Sequence, residues 1–194
     1  EKAREFAVKT VRQLRDADFI SYWAGGCVRD HHLRVRPQDF DVATNAMPEE
    51  IQELFGKKRT LAIGASFGVI TLIGSKEQGN IEIATFREDQ SYTDGRRPDK
   101  ITFSTPEADA LRRDFTINGM FLDPETMETL DFVGGLADLA ACRIQAIGDP
   151  TERFEEDKLR ILRAVRFATT LDFEIEQNTL DAVCRYVDNL NQVS

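Results

Sequence analysis

The stretch Gly25-Gly26-Cys27-Val28-Arg29-Asp30, followed after eight intervening residues by Asp39-Phe40-Asp41, decides the reading of this chain. Phe19 to Ala24 reads as a strand that runs into the two glycines, and Val28 to Leu33 as a short helix that leaves them. A glycine pair at such a turn offers backbone N–H groups where a triphosphate can lie. Asp39 to Thr44 reads as a second strand-like run, apolar from Phe40 to Ala43. In a strand, residues i and i+2 face the same side, roughly 6.7 Å apart. Asp39 and Asp41 can therefore converge on one or two Mg²⁺ ions, which usually take one or two carboxylates plus substrate phosphates. Each piece alone is ordinary: a single D-x-D is commonly a solvated turn or a cap, and a Gly-Gly pair is commonly just a turn. Their pairing at this spacing, with Arg29 between, points to nucleotidyl transfer: attack of a hydroxyl on an α-phosphate, with pyrophosphate expelled.

Composition sets the frame. The chain of 194 residues is long enough for one or two domains, and 41% of it is hydrophobic, enough for a proper core. It holds no run of 18 apolar residues, so no membrane helix is expected, and no signal-peptide pattern opens it. It begins Glu1-Lys2-Ala3-Arg4 without an initiator Met, which reads as part of a longer chain. Cys27, Cys142 and Cys184 are odd in number and scattered, which fits a reduced, cytoplasmic setting rather than a disulfide framework or a zinc site. His31 and His32 have no ligand-spaced partners and read as helix surface. A net charge of −9 argues against a general nucleic-acid-binding surface. Arginines nevertheless gather at Arg96-Arg97, Arg112-Arg113 and from Arg153 to Arg166, a pattern suited to a small anion held in a cleft.

The remaining elements follow from periodicity and turn residues. Phe6, Val8, Val11 and Leu14 give an amphipathic first helix, and Pro48-Glu49-Glu50 opens another through Phe55. Gly68 to Ile73 and Asn80 to Phe86 read as strands joined by a polar turn, and Ile101 to Phe103 as a short strand. Arg87 to Lys100 is charged, lacks an apolar period, and reads as a mobile loop. From Ala108 the pattern is helical, interrupted by Asp123-Pro124 and a strand-like Thr129 to Val133. After Ile147-Gly148-Asp149-Pro150 everything reads as helix, which places a domain boundary at Gly148. The fold class is α+β: a small mixed sheet of about five strands with flanking helices over residues 1–148, then an all-α segment over 149–194.

Three further groups of residues carry candidate chemistry. Glu82, alternating with Ile81 and Ile83, faces solvent or supplies a third acid near the metals. Arg112-Arg113-Asp114-Phe115-Thr116-Ile117-Asn118 is either a charged helix start capped by Asp114 or a nucleotide clamp, with Arg113 on phosphate and Asp114 accepting a ribose hydroxyl. In Glu156-Asp157-Lys158-Leu159-Arg160, continuing to Arg163 and Arg166, the residues Asp157, Arg160 and Arg163 stand three apart, on one helix face. Such charges commonly form surface ion pairs. An Asp–Arg fork can also read a base edge, the Asp accepting from an exocyclic amine and the Arg donating to a ring acceptor. That combination accepts cytosine and adenine and rejects guanine and uracil.

Together these segments resemble the class II tRNA nucleotidyltransferase and bacterial poly(A) polymerase family, within the DNA-polymerase-beta-like nucleotidyltransferases. The resemblance spans nearly the whole chain: G-G-C-V-R-D with D-F-D, R-R-D-F-T-I-N, and E-D-K-L-R-I-L-R-A-V-R-F. It implies a catalytic head with a five-stranded sheet and a helical neck. It implies two Mg²⁺ ions on Asp39 and Asp41, and nucleotide contacts from Gly25, Gly26, Arg29, Arg113, Asp114, Asn118, Arg163 and Arg166. It further implies that Asp157 and Arg160 act as a protein template for C and A. The substrates implied are CTP, ATP and the 3′ end of tRNA. Gly56 to Leu61 and Gly64 to Gly68 look like the branch that adds CCA rather than the poly(A) branch. Tyr92 to Pro98 resembles a loop of enzymes able to add the final A. The family continues into helical body and tail domains beyond the equivalent of Ser194. A non-catalytic nucleotide- or RNA-binding module is the alternative from another class, and the presence of both D-x-D acids weighs against it.

Overall fold

The computed structural model describes residues 1–90 and 100–188. Helix α1 (Lys2–Asp16) buries Phe6, Ala7, Thr10, Val11 and Leu14, the stripe that a 3.6-residue period places on one face. Strand β1 (Ser21–Ala24) ends at Gly25, and α2 (Gly26–His32) starts at once. Strand β2 is Asp41–Thr44, so Asp39 lies just before the strand and not within it. Helix α3 (Pro48–Phe55) opens on proline, and the Glu50 carboxylate accepts the Met47 amide at 2.8 Å. Strands β3 (Thr60–Leu61), β4 (Val69–Leu72) and β5 (Ile81–Thr85) follow.

The segment read as a mobile loop begins and ends in a hairpin. Strand β6 (Arg87–Gln90) pairs antiparallel with β7 (Lys100–Phe103), and cross-strand pairing holds these polar residues despite their lack of an apolar period. Residues 91–99, with Tyr92 to Pro98, lie outside the described residues. Next come α4 (Pro106–Leu111), capped by the Thr105 hydroxyl, and a 3₁₀ turn at Thr116–Asn118. They are followed by β8 (Phe121–Leu122), β9 (Thr129–Leu130), α5 (Gly135–Ala140) and β10 (Arg143–Ile144).

The main sheet has seven strands in the order β3-β4-β5-β2-β1-β8-β9, where about five were expected; the additions are two-residue edge strands. Only β2 and β5 pair in parallel within it. Successive side chains alternate between its faces. One face carries Trp23, Val42, Ile70, Leu72, Ile81, Ile83 and Leu122, all buried in a core shared with α1 and α3. The other carries Ala24, Ala43 and Phe121, which pack with Phe86 and Ala110. Asp41 and Glu82 project from this second face.

Beyond Gly148 the chain forms α6 (Pro150–Glu156), α7 (Leu159–Leu171), β11 (Glu174–Ile175) and α8 (Gln177–Tyr186). The segment is therefore not wholly helical: β11 pairs in parallel with β10, after Asp172 turns the chain in the left-handed region. Apolar packing crosses Gly148 without a gap, and Phe115 meets Phe167 edge-on with ring centroids 5.9 Å apart. The continuous helix face read through Asp157, Arg160 and Arg163 is also corrected. Asp157 sits in the break between α6 and α7, with extended backbone, and its Oδ1 accepts the Leu159 amide at 3.0 Å. An acid with a short side chain favours this position because it satisfies an amide that the new helix leaves open.

Candidate active site

Gly25 is where the strand-to-helix turn becomes specific to glycine. Its φ of 71° and ψ of −131° lie in a region closed to residues with a β-carbon, and a β-carbon here would stand 3.3 Å from Arg113 Nη1. Gly25→Ala is expected to destabilise the protein by about 1–3 kcal/mol through backbone strain, measured by denaturant unfolding, and to displace Arg113. Helix α2 spans only seven residues, so its dipole contributes little, and arginine side chains carry most of the attraction for an anion.

The parallel pairing of β2 with β5 sets Asp41 directly beside Glu82, and Asp39 precedes them. Asp41 is open to the cleft, yet protein crowds it on its other sides. That crowding pushes its carboxyl from 3.8 up to about 6: desolvation contributes most, the Glu82 charge next, and Asp39 adds, while the Arg113 cation opposes. Behind it the Cys27 thiol is buried and pushed up to about 12, so it is no nucleophile.

A cleft of about 580 Å³ opens over these acids. Gly25, Gly26, Arg29, Asp39 and Asp41 line one part of it. Arg113, Asp114 and Asn118 line another, and Asp157, Arg160, Arg163 and Arg166 close it from α7 and the break before it. Glu82 stands next to Asp41 without lining the cavity wall.

These side chains are held by one another. Arg29 donates to Asp30 Oδ1 at 2.7 and 2.9 Å and to Asn118 Oδ1 at 2.9 Å. Arg163 Nε donates to Asp114 Oδ2 at 2.6 Å, while Asp114 Oδ1 accepts the Phe115 amide at 2.8 Å. Arg160 is buried, only 6% exposed: its Nη1 donates to Glu156 at 2.9 Å and to the Arg153 carbonyl at 3.2 Å, and its Nη2 to the Arg112 carbonyl at 3.1 Å. These bonds take three of its five N–H groups and fix the plane of the guanidinium. Arg160 is thus ordered and buried, whereas Arg163 is part-exposed and Arg166 exposed at the mouth of the cleft.

Sequence reasoning gave no role to Phe167 or Asp109, and it quoted Asp30 and Arg112 within their motifs without assigning either a contact of its own. Asp30 and Arg112 line the cleft, as does Phe167. The Phe167 ring gathers the guanidinium groups of Arg29, Arg163 and Arg166 at 5.3, 5.2 and 4.8 Å from its centroid. Asp109 is buried beneath the cleft and binds both Arg112 and Arg113. Its spacing of three and four residues before them was a readable signal for such pairing.

The chain belongs to the family described as the poly A polymerase head domain, whose model matches residues 21–145. It is 42% identical over 189 residues to a CCA-adding enzyme of Enterococcus faecalis, a match that covers 97% of this chain and 45% of that protein. It is similar to the crystal structure of the Bacillus stearothermophilus CCA-adding enzyme in complex with CTP, with a TM-score of 0.85, 31% identity, and coverage of 97% of this chain and 44% of that one. A Thermotoga maritima CCA-adding enzyme complexed with tRNA matches with a TM-score of 0.76 and 27% identity, over 95% of this chain and 42% of that one. The chain thus spans a little under half the length of these proteins. Among the described residues no helix is long and apolar enough to cross a membrane.

Proposed function

We propose that this chain is the catalytic portion of a template-independent RNA nucleotidyltransferase, which adds C and A to the 3′ end of tRNA from CTP and ATP and releases pyrophosphate. The observation that carries this reading is a single cleft in which an acid cluster, six arginines and the Asp157–Arg160 pair converge. In this reading residues 1–148 form the catalytic head and residues 149–194 begin a neck. Three cysteines without a disulfide fit a cytoplasmic setting.

The acids suit a divalent cation. Asp39 and Asp41 offer carboxylate oxygens alone, the donors that hard cations such as Mg²⁺ prefer, while among the described residues no group of three or more such side chains is arranged to hold a metal ion. Mg²⁺ held by Asp39 and Asp41 would activate the attacking hydroxyl and neutralise charge on the phosphates. Arg29 and Arg113 lie beside the acids, where they bind and orient the triphosphate. Asp114, held by Arg163 and the Phe115 amide, would accept a ribose hydroxyl. Arg166 reaches the cleft across the Phe167 ring and adds positive charge.

The test uses the full-length parent and tRNA lacking its 3′ end, with each NTP offered alone and in combination. The reading expects two C residues from CTP alone, a complete end with CTP and ATP, and nothing from UTP or GTP. Addition of A alone would make it an A-adding enzyme, and long A tails a poly(A) polymerase of the same family. No incorporation at all would leave a nucleotide-binding module.

A further inference from the structure

We propose that Asp109 is the positioning residue of this cleft, one buried carboxylate that holds Arg112 and Arg113 in place and fastens the foot of the β6–β7 hairpin to them. The inference rests on the nucleotidyl-transfer reading above and adds to it a residue that does not line the cavity.

Asp109 stands near the end of α4 and is 1% exposed. Its Oδ1 accepts Arg112 Nε at 2.9 Å and Nη2 at 2.7 Å, and also the backbone N–H of Arg87 at 3.2 Å. Its Oδ2 accepts Arg113 Nε at 3.2 Å and Nη2 at 2.9 Å. One carboxylate therefore serves five N–H groups from three residues. Arg87 begins β6, and Asp89, two residues on, lies 3.6 Å from Arg112. The hairpin and the two arginines thus share one anchoring anion.

The consequence lies in where Arg113 points. Its Nη1 reaches the Asn118 carbonyl at 3.4 Å, and its guanidinium carbon lies 5.1 Å from the Phe121 ring centroid. A β-carbon on Gly25 would meet the same Nη1 at 3.3 Å and Asp41 at 3.9 Å. Arg113 therefore hangs between two acids, Asp109 below and Asp41 above. Two donors committed to Asp109 keep the guanidinium from closing onto Asp41, where it would compete with a cation for the carboxylate. Held in this way, Arg112 and Arg113 both line the cleft, where a bound polyphosphate would meet them. Removal of the anchor leaves two half-buried arginines seeking new acceptors, and Asp41 already feels the Arg113 charge.

The experiment uses the full-length protein, CTP and tRNA lacking its 3′ end. Asp109→Asn keeps the shape and removes the charge. Its KM for CTP is expected to rise about 10–100-fold, the scale of one or two lost charge-assisted hydrogen bonds, with kcat falling less than KM rises. Hydrogen exchange should show the Arg87 amide losing protection while the β2 and β5 amides keep theirs. A folded Asn variant with wild-type KM, or with a protected Arg87 amide, overturns the inference. If the Asn variant does not fold, Asp109→Glu decides: a raised KM at near wild-type kcat supports the role, and an unchanged KM overturns it. A wild-type protein that transfers no nucleotide sinks the functional reading itself. A wild-type protein that works beside an indifferent variant sinks only the role of Asp109.

Discussion

Asp41→Asn removes transfer of CTP to tRNA by the full-length protein, with kcat falling on the order of 10³-fold or more. The scale follows from several kcal/mol of charge stabilisation at a metal centre, each 1.4 kcal/mol being about tenfold in rate. Single-turnover incorporation at saturating CTP measures it, and retained turnover would refute the assignment of Asp41. Stability should move the other way. Asp41 is an acid whose value in the fold stands above its ordinary one, about 6 against 3.8. The unfolded chain therefore gives up this proton more readily than the folded one. The charged form then opposes folding, and that opposition grows from around pH 4 and is complete above about pH 6. In chelator at pH 7.5 the Asn variant should melt no lower than the wild type, and if anything higher. A variant that is both inactive and clearly less stable would mark Asp41 as a structural residue.

Asp157→Ala should relax the choice of base. A site built to hydrogen-bond its substrate rejects the wrong one by up to about 10⁴–10⁵, because buried polar groups are otherwise left unpaired. Losing one partner of such a pair should narrow discrimination against UTP and GTP by about 10²-fold, at 1–3 kcal/mol for a good bidentate contact. The structure sharpens this prediction. Arg160 is clamped by Glu156 and two backbone carbonyls, which fix its guanidinium plane. Asp157 also caps the Leu159 amide, so some general loss of activity accompanies the change. The deciding quantity is the ratio of incorporation among the four NTPs, compared between wild type and variant. A uniform loss with the preference for C and A intact would make the pair structural.

How much of this was legible beforehand depended on the kind of interaction. The glycine turn, the two acids and most of the cleft residues could be read because their chemistry is local: Gly25 needs its backbone conformation, and Arg113-Asp114 sit side by side. The strands around them could be read from their period of two. What escaped depends on pairing between distant segments. Arg87 to Gln90 has no apolar rhythm and becomes strand only because Lys100 to Phe103 lies opposite. Glu174-Ile175 looked like part of a helical run and becomes strand because Arg143-Ile144 offers an edge. Asp157 fitted a helical spacing of charges, and the break at its backbone carries no proline or glycine to announce it. Phe167 stood in the sequence only as one apolar residue of a helical run, and its place as a ring shared by three arginines appears only once α2 and α7 face each other.

The parallel pairing of β5 with β2 has a consequence for how this site withstands mutation. A slip of one residue turns every side chain of a strand to the opposite face. Ile81, Ile83 and Thr85 prevent such a slip, since each would have to leave a dry interior for the open side. The placement of Glu82 beside Asp41 is therefore guaranteed by residues that never see the cleft. The cleft face borrows its alignment from the greasy one, and substitutions on the far side of the sheet can misalign the acids without touching any of them.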